Sequence, residues 1–168
     1  MSLACLRTLF LPALLGSLAT LLGAILLETH IGLLPCPLCQ SQRLVLALYA
    51  LVCLCAMVHA PGPAGERRYQ AAALAFAVFG ALLAGRHVWL QGEWSSMAGC
   101  PLPLGQVNWH IWREALEWLF VGGADCVSIT WSFLDLTVPE WSLLAFLLLA
   151  SLPLSRLLAY RFRNLGKA

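Results

Sequence analysis

Four apolar runs, over residues 9–27, 44–60, 69–90 and 141–158, constrain this chain more than any other feature. A helix needs about 20 apolar residues to cross the hydrocarbon core of a bilayer, and all four runs come close to that length. In lipid the backbone must satisfy its own polar groups, so such runs become helices. With 61% hydrophobic and 11% charged residues in 168, the chain carries more apolar surface than a soluble core of its size hides. The expectation is an all-α membrane protein, a bundle of four transmembrane helices. Nucleic acid is not expected as a partner. The first run is too long for a signal peptide and lacks a small-residue cleavage site after it, so it is expected to remain in the mature protein. Pro153 is expected to bend or end the fourth run near its exit.

Basic residues near helix ends are retained on the cytoplasmic side. Arg7, Arg67, Arg68, Arg156, Arg161, Arg163 and Lys167 fall on one side of a four-helix arrangement, leaving Arg43, Arg86 and Arg113 on the other. Both termini are thus expected in the cytoplasm, with residues 1–8, 61–68 and 159–168. A short outer loop (28–43) and a long one (91–140) face the other way. The acids agree: Glu28, Glu93, Glu114, Glu117, Asp125, Asp135 and Glu140 are outer and Glu66 is inner. All seven tryptophans lie near the outer interface or in the long loop, where indole favours the headgroup layer. Within that loop Trp109, Trp112, Leu116 and Leu119 recur at helical spacing. They predict a short amphipathic helix, lying in the interface or packed on the protein's own outer surface.

Topology also sorts the seven cysteines, because disulfides persist outside the cytoplasm. Cys36, Cys39, Cys100 and Cys126 are expected outside; Cys5, Cys53 and Cys55 are expected to be packing residues. Cysteine zinc sites usually show two closely spaced pairs, whereas Cys100 and Cys126 are far apart, so no metal is expected. Two readings of the four outer cysteines stay open. A staple in the long loop would be structural. The Cys36-Pro37-Leu38-Cys39 pair restrains little chain, which is typical of exchanging sites. Cys39 is expected at the first turn of the second membrane helix, where free N–H groups and the helix dipole favour a thiolate. Arg43 adds a positive charge one turn on, which makes Cys39 the expected electron-donating sulfur. His87, near the outer end of the third run, shares its depth with Arg43. Together they can hold the two ends of a quinone head group, or they are interfacial residues, Arg43 snorkelling to the headgroups. Glu28, His30 and Arg86 receive no assignment.

Taken together, C-P-L-C followed by Arg43, Arg86-His87 near the end of the third run, and Cys100 and Cys126 in the long outer loop resemble the bacterial DsbB family of disulfide bond formation proteins over nearly the whole chain. The resemblance implies a thiol:quinone oxidoreductase of the bacterial inner membrane with periplasmic cysteines. A reduced DsbA-like oxidase would attack a Cys100–Cys126 disulfide, and exchange with Cys36–Cys39 would follow. Electrons would then pass from Cys39 to ubiquinone or menaquinone, with Arg43 and His87 at the quinone. Glycines 99, 105, 122 and 123 are expected to let the loop deliver its cysteines. One departure is Gln42, where an acidic residue is common in the best-known members. A vitamin K epoxide reductase-like protein would place its quinone-side C-x-x-C after the loop cysteines, and the order here is the reverse. The non-enzymatic rival is a small membrane assembly or receptor subunit stapled by disulfides. It predicts that Cys36 and Cys39 tolerate serine.

Overall fold

The computed structural model describes residues 3–31, 36–94 and 132–165. They form four helices: α1 (Leu3–Ile31), α2 (Pro37–His59), α3 (Pro63–Trp94) and α4 (Val138–Leu165). A two-stranded hairpin, β1 (Ser132–Phe133) and β2 (Leu136–Thr137), precedes α4. Each helix contains a segment long and apolar enough to cross a membrane, and the chain is a multi-pass membrane protein. The loop cysteines Cys100 and Cys126 and the amphipathic segment expected around Trp109 lie outside the described residues.

All four helices begin before their apolar runs do, and local chemistry explains where three of them start. Pro37 opens α2 and Pro63 opens α3; a first-turn proline is preset in φ, and its missing N–H has no helical partner to lose. At α4 the sequence Thr137-Val138-Pro139-Glu140 is a capping box. The Glu140 carboxylate accepts the Thr137 backbone N–H at 2.6 Å and lies 2.9 Å from the Thr137 hydroxyl. That hydroxyl is also 3.1 Å from Gln91 Oε1, which ties the end of α3 to the start of α4. Pro153 does not end α4, which continues to Leu165.

The helices pack in a ring: α1 on α2, α2 on α3, α3 on α4, with α4 closing on α1. Only residues 60–62 join α2 to α3, which makes these neighbours antiparallel. The turn is possible because Ala60 takes a left-handed conformation (φ 42°, ψ 54°) as the C-cap of α2. Small residues bring the helices close. At Gly80 on α3 an added Cβ would sit 2.2 Å from the ring of Phe146 on α4, so that ring occupies the space a side chain would need. Tyr49 of α2 is fully buried and donates its hydroxyl proton to the Leu149 carbonyl of α4 at 3.0 Å. At the end where α3 begins, the Arg67 guanidinium stacks over the Tyr160 ring, 4.1 Å from its centroid. Outside this core, leucines such as Leu15, Leu22, Leu51, Leu82 and Leu148 are exposed, as expected for lipid-facing surface.

The hairpin was not expected from sequence. Leu134 and Asp135, both at positive φ, form its two-residue turn, the backbone of a type I′ turn without the usual glycine or asparagine. It rests on α4, where the Trp141 indole donates to the Phe133 carbonyl at 3.1 Å.

Candidate functional site

The start of α2, the end of α1 and the end of α3 meet at one end of the bundle. Cys36 is the N-cap of α2, in extended conformation (φ −70°, ψ 164°), and its sulfur accepts the backbone N–H of Cys39 at 3.4 Å. Serine, threonine, asparagine or aspartate usually fills this role by accepting a helix N–H that has no other partner. Here a redox-capable sulfur does so. The Cys36 carbonyl accepts the N–H of Gln40 at 3.1 Å, which closes the first turn. Cys39 thus lies in that turn, as expected, with its Sγ 3.1 Å from Cys36 Sγ. Cys36 is 6% exposed and Cys39 is partly exposed.

His87 of α3 faces this pair. It is 2% exposed, with Nε2 3.8 Å from Cys36 Sγ and Nδ1 4.0 Å from Cys39 Sγ. The buried Gln42 places its amide nitrogen 3.5 Å from His87 Nδ1. With the amide in this orientation, Nδ1 is the accepting nitrogen and Nε2 carries the proton toward Cys36, an assignment made from the hydrogen-bond network. The imidazole therefore joins the two sulfurs and the Gln42 side chain. Its one-turn spacing from the end of the third apolar run was legible in sequence. Its direct approach to both cysteines was not.

Arg43, in the second turn of α2, is turned to α1. It donates to the Glu28 carboxylate and, at 2.9 Å, to the Ala24 carbonyl. Glu28 had no sequence assignment. The signal was present as an acid at the end of an apolar run, but its pairing across the α1–α2 link required the fold. The structure thus brings together Cys36, Cys39 and His87 and gives Arg43 an ion-pair partner. Cys53 is buried in the core at 1% exposure and Cys55, two positions on, is partly exposed, so the two face different directions.

One nitrogen of His87 and the two sulfurs lie within 4.8 Å of one another, a set of soft donors. For a quinone, the donor chemistry fits differently. The Arg43 guanidinium presents several N–H groups, and His87 offers a ring N–H, directed at Cys36 in the present arrangement. Quinone carbonyls need such donors.

A family model described as "Disulfide bond formation protein DsbB" matches residues 6–155. "Disulfide bond formation protein B 2" of Pseudomonas entomophila is 61% identical over 168 residues, covering all of both chains. "Disulfide bond formation protein B" of Stutzerimonas stutzeri is 38% identical over 160 residues, 94% of this chain and 98% of that one. "Disulfide bond formation protein B 1" of Pseudomonas aeruginosa is also 38% identical, over 87% of this chain and 91% of its own length. No solved structure matches the chain.

Proposed function

The chain belongs to the disulfide bond formation protein DsbB family, and from that membership we propose that it reoxidises a DsbA-like periplasmic dithiol oxidase and passes two electrons to a membrane quinone. The observation that carries this reading is the Cys36–Cys39 pair at the N-terminus of a membrane helix with buried His87 against both sulfurs. The proposal includes an inner-membrane location with both termini cytoplasmic and the redox cysteines periplasmic.

The relay runs through two disulfides. A thiolate of the reduced partner attacks the Cys100–Cys126 disulfide; the S–S bond breaks, one loop sulfur leaves as thiolate and a mixed disulfide forms. The partner's second thiolate resolves it, so the partner leaves oxidised and the loop is left as a dithiol. A loop thiolate then attacks the Cys36–Cys39 disulfide, and the second loop thiol resolves that mixed disulfide. The pair at the head of α2 is now the dithiol. Cys39, the more exposed of its two sulfurs, is the electron-donating one. A membrane quinone, ubiquinone or menaquinone, would be held by Arg43 and His87 and would supply the two-electron, two-proton acceptor. His87 Nδ1, 4.0 Å from Cys39 Sγ, can take the thiol proton once the Gln42 amide, which donates to the same lone pair, turns to present its oxygen.

The test is oxidation of a reduced DsbA-type protein by the purified chain in detergent with ubiquinone or menaquinone. Turnover that disappears in Cys36→Ser, Cys39→Ser, Cys100→Ser and Cys126→Ser supports the relay. Well-folded protein with no quinone-linked thiol oxidation would return the chain to the stapled structural subunit.

A further inference from the structure

We propose that, when reduced, Cys36 and Cys39 together with His87 form a binding site for a soft, redox-inert divalent ion of the zinc class, and that the bound ion arrests turnover. Two thiolates and an imidazole are zinc's preferred donors. Here both sulfurs and one ring nitrogen already lie within 4.8 Å of one another. Tetrahedral zinc, with Zn–S near 2.3 Å and Zn–N near 2.0–2.1 Å, sets its donors about 3.5–3.8 Å apart. The observed S–S separation is 3.1 Å and Cys36 Sγ to His87 Nε2 is 3.8 Å. Side-chain rotation of Cys39, which is partly exposed, opens the first distance by the roughly 0.7 Å required.

The surroundings favour such an ion. Two thiolates, a neutral imidazole and a divalent cation sum to zero charge, which suits a buried site where an uncompensated charge is costly. Arg43, the cation on the same helix, is neutralised by Glu28. With Nε2 on the ion, Nδ1 carries the ring proton and the Gln42 side chain, turned to present its oxygen, accepts it. That is the outer support that metal-bound histidines use. A water, reaching the ion from the side of the partly exposed Cys39, would fill the fourth position.

Binding is gated by redox state. In the dithiol, each sulfur loses its proton to solvent as its bond to the ion forms, so two protons are released per ion and no electrons move. In the disulfide neither sulfur is an anionic donor, and the site is gone. Metal binding rests on the described geometry alone, whereas arrest of turnover also rests on the proposed relay.

The test uses the full chain in detergent with Cys100→Ser and Cys126→Ser, which leaves this pair as the outer dithiol. The protein is reduced, freed of reductant and titrated with Cd2+ without air. Expected are one ion bound per chain, release of two protons and thiolate-to-cadmium ultraviolet absorption. The signal should vanish in the oxidised protein and on further Cys36→Ser or Cys39→Ser substitution. His87→Ala should weaken binding by about tenfold or more. Absence of the thiolate signal, or binding unchanged by His87→Ala, overturns the site. If His87→Ala loses helical content, cadmium NMR of the chain with His87 intact decides between a sulfur–nitrogen and a sulfur–oxygen environment. In the four-cysteine chain, Zn2+ should stop quinone-linked oxidation and a chelator should restore it. Turnover unaffected by an ion that binds overturns the arrest, whereas a chain that binds the ion yet never turns over without it overturns the relay and keeps the site.

Discussion

Arg43 and Glu28 pair across the junction of α2 and α1, and the same guanidinium holds the Ala24 carbonyl at 2.9 Å. Long, rotamer-rich side chains lose freedom in such an arrangement, so the pair fixes a direction for the guanidinium. Glu28→Ala removes one of its two anchors. Its cost in global stability should be small, within ~1 kcal/mol, as for other partly exposed ion pairs. Under the proposed function the KM for quinone should rise about three- to tenfold, less than the loss of a direct charged hydrogen bond of ~1.5–3 kcal/mol. Steady-state kinetics at varied quinone, with a thermal melt as control, checks this. A KM equal to that of the unsubstituted protein would remove Glu28 from any positioning role.

Cys36 has a structural task beside its chemistry, and serine separates the two. Serine is a good N-cap, so Cys36→Ser should keep the start of α2 while abolishing disulfide exchange. Cys36→Ala should be equally inactive and in addition lose about 0.5–2 kcal/mol, the usual cost of a missing cap. Equilibrium unfolding of both variants in mixed detergent measures the difference. Equal stability would mean that the 3.4 Å contact to the Cys39 N–H contributes nothing.

His87→Ala should lower kcat by about 10²-fold or more if its ring takes a proton in turnover, and it leaves the buried Gln42 amide without its ring partner. The second effect should cost about 1–3 kcal/mol and be relieved by Gln42→Leu. The double variant is therefore expected to recover stability without recovering activity. Recovery of both would make the histidine structural.

Gly80→Ala should destabilise the α3–α4 contact by about 1–3 kcal/mol, the range for overpacking, because the new methyl meets the Phe146 ring at 2.2 Å. Phe146 is buried and has little room to yield. Combining Gly80→Ala with Phe146→Leu should recover part of the loss, and a double-variant cycle on unfolding measures the coupling.

Much of this architecture was legible because lipid imposes a strict rule. An apolar run of spanning length has one backbone solution, so four helices followed from hydropathy. Distances to the ends of those runs led to the expectation of Arg43 and His87 at one depth and of Cys39 in the first turn of the second helix. Helix starts were less legible: apolar content placed the fourth at residue 141, whereas Thr137 and Glu140 start it with a capping box that was present in the sequence. The hairpin turn at Leu134-Asp135 carries one common turn residue, Asp135, but Leu134 at positive φ has no sequence signal that announces it. Side-chain partners were least legible of all. Hydropathy places Glu28, Gln42 and His87 at a depth, but which neighbours they meet depends on the rotation of α1, α2 and α3 about their axes. That rotation is set by packing such as Gly80 against Phe146 and Tyr49 against Leu149.

Under the proposed function, the sulfur that caps α2 is also an atom of a redox couple, which would join helix termination to electrochemistry. A thiolate accepts an N–H better than a disulfide sulfur does, so a Cys36 that leaves as thiolate would be capped more strongly than the same sulfur in a disulfide. By linkage, that difference in capping free energy appears as a shift of the pair's reduction potential, with about 1.4 kcal/mol equal to 30 mV for a two-electron couple. In the proposed relay, the first turn of the helix would thereby make a Cys36–Cys39 disulfide a better oxidant of incoming thiols.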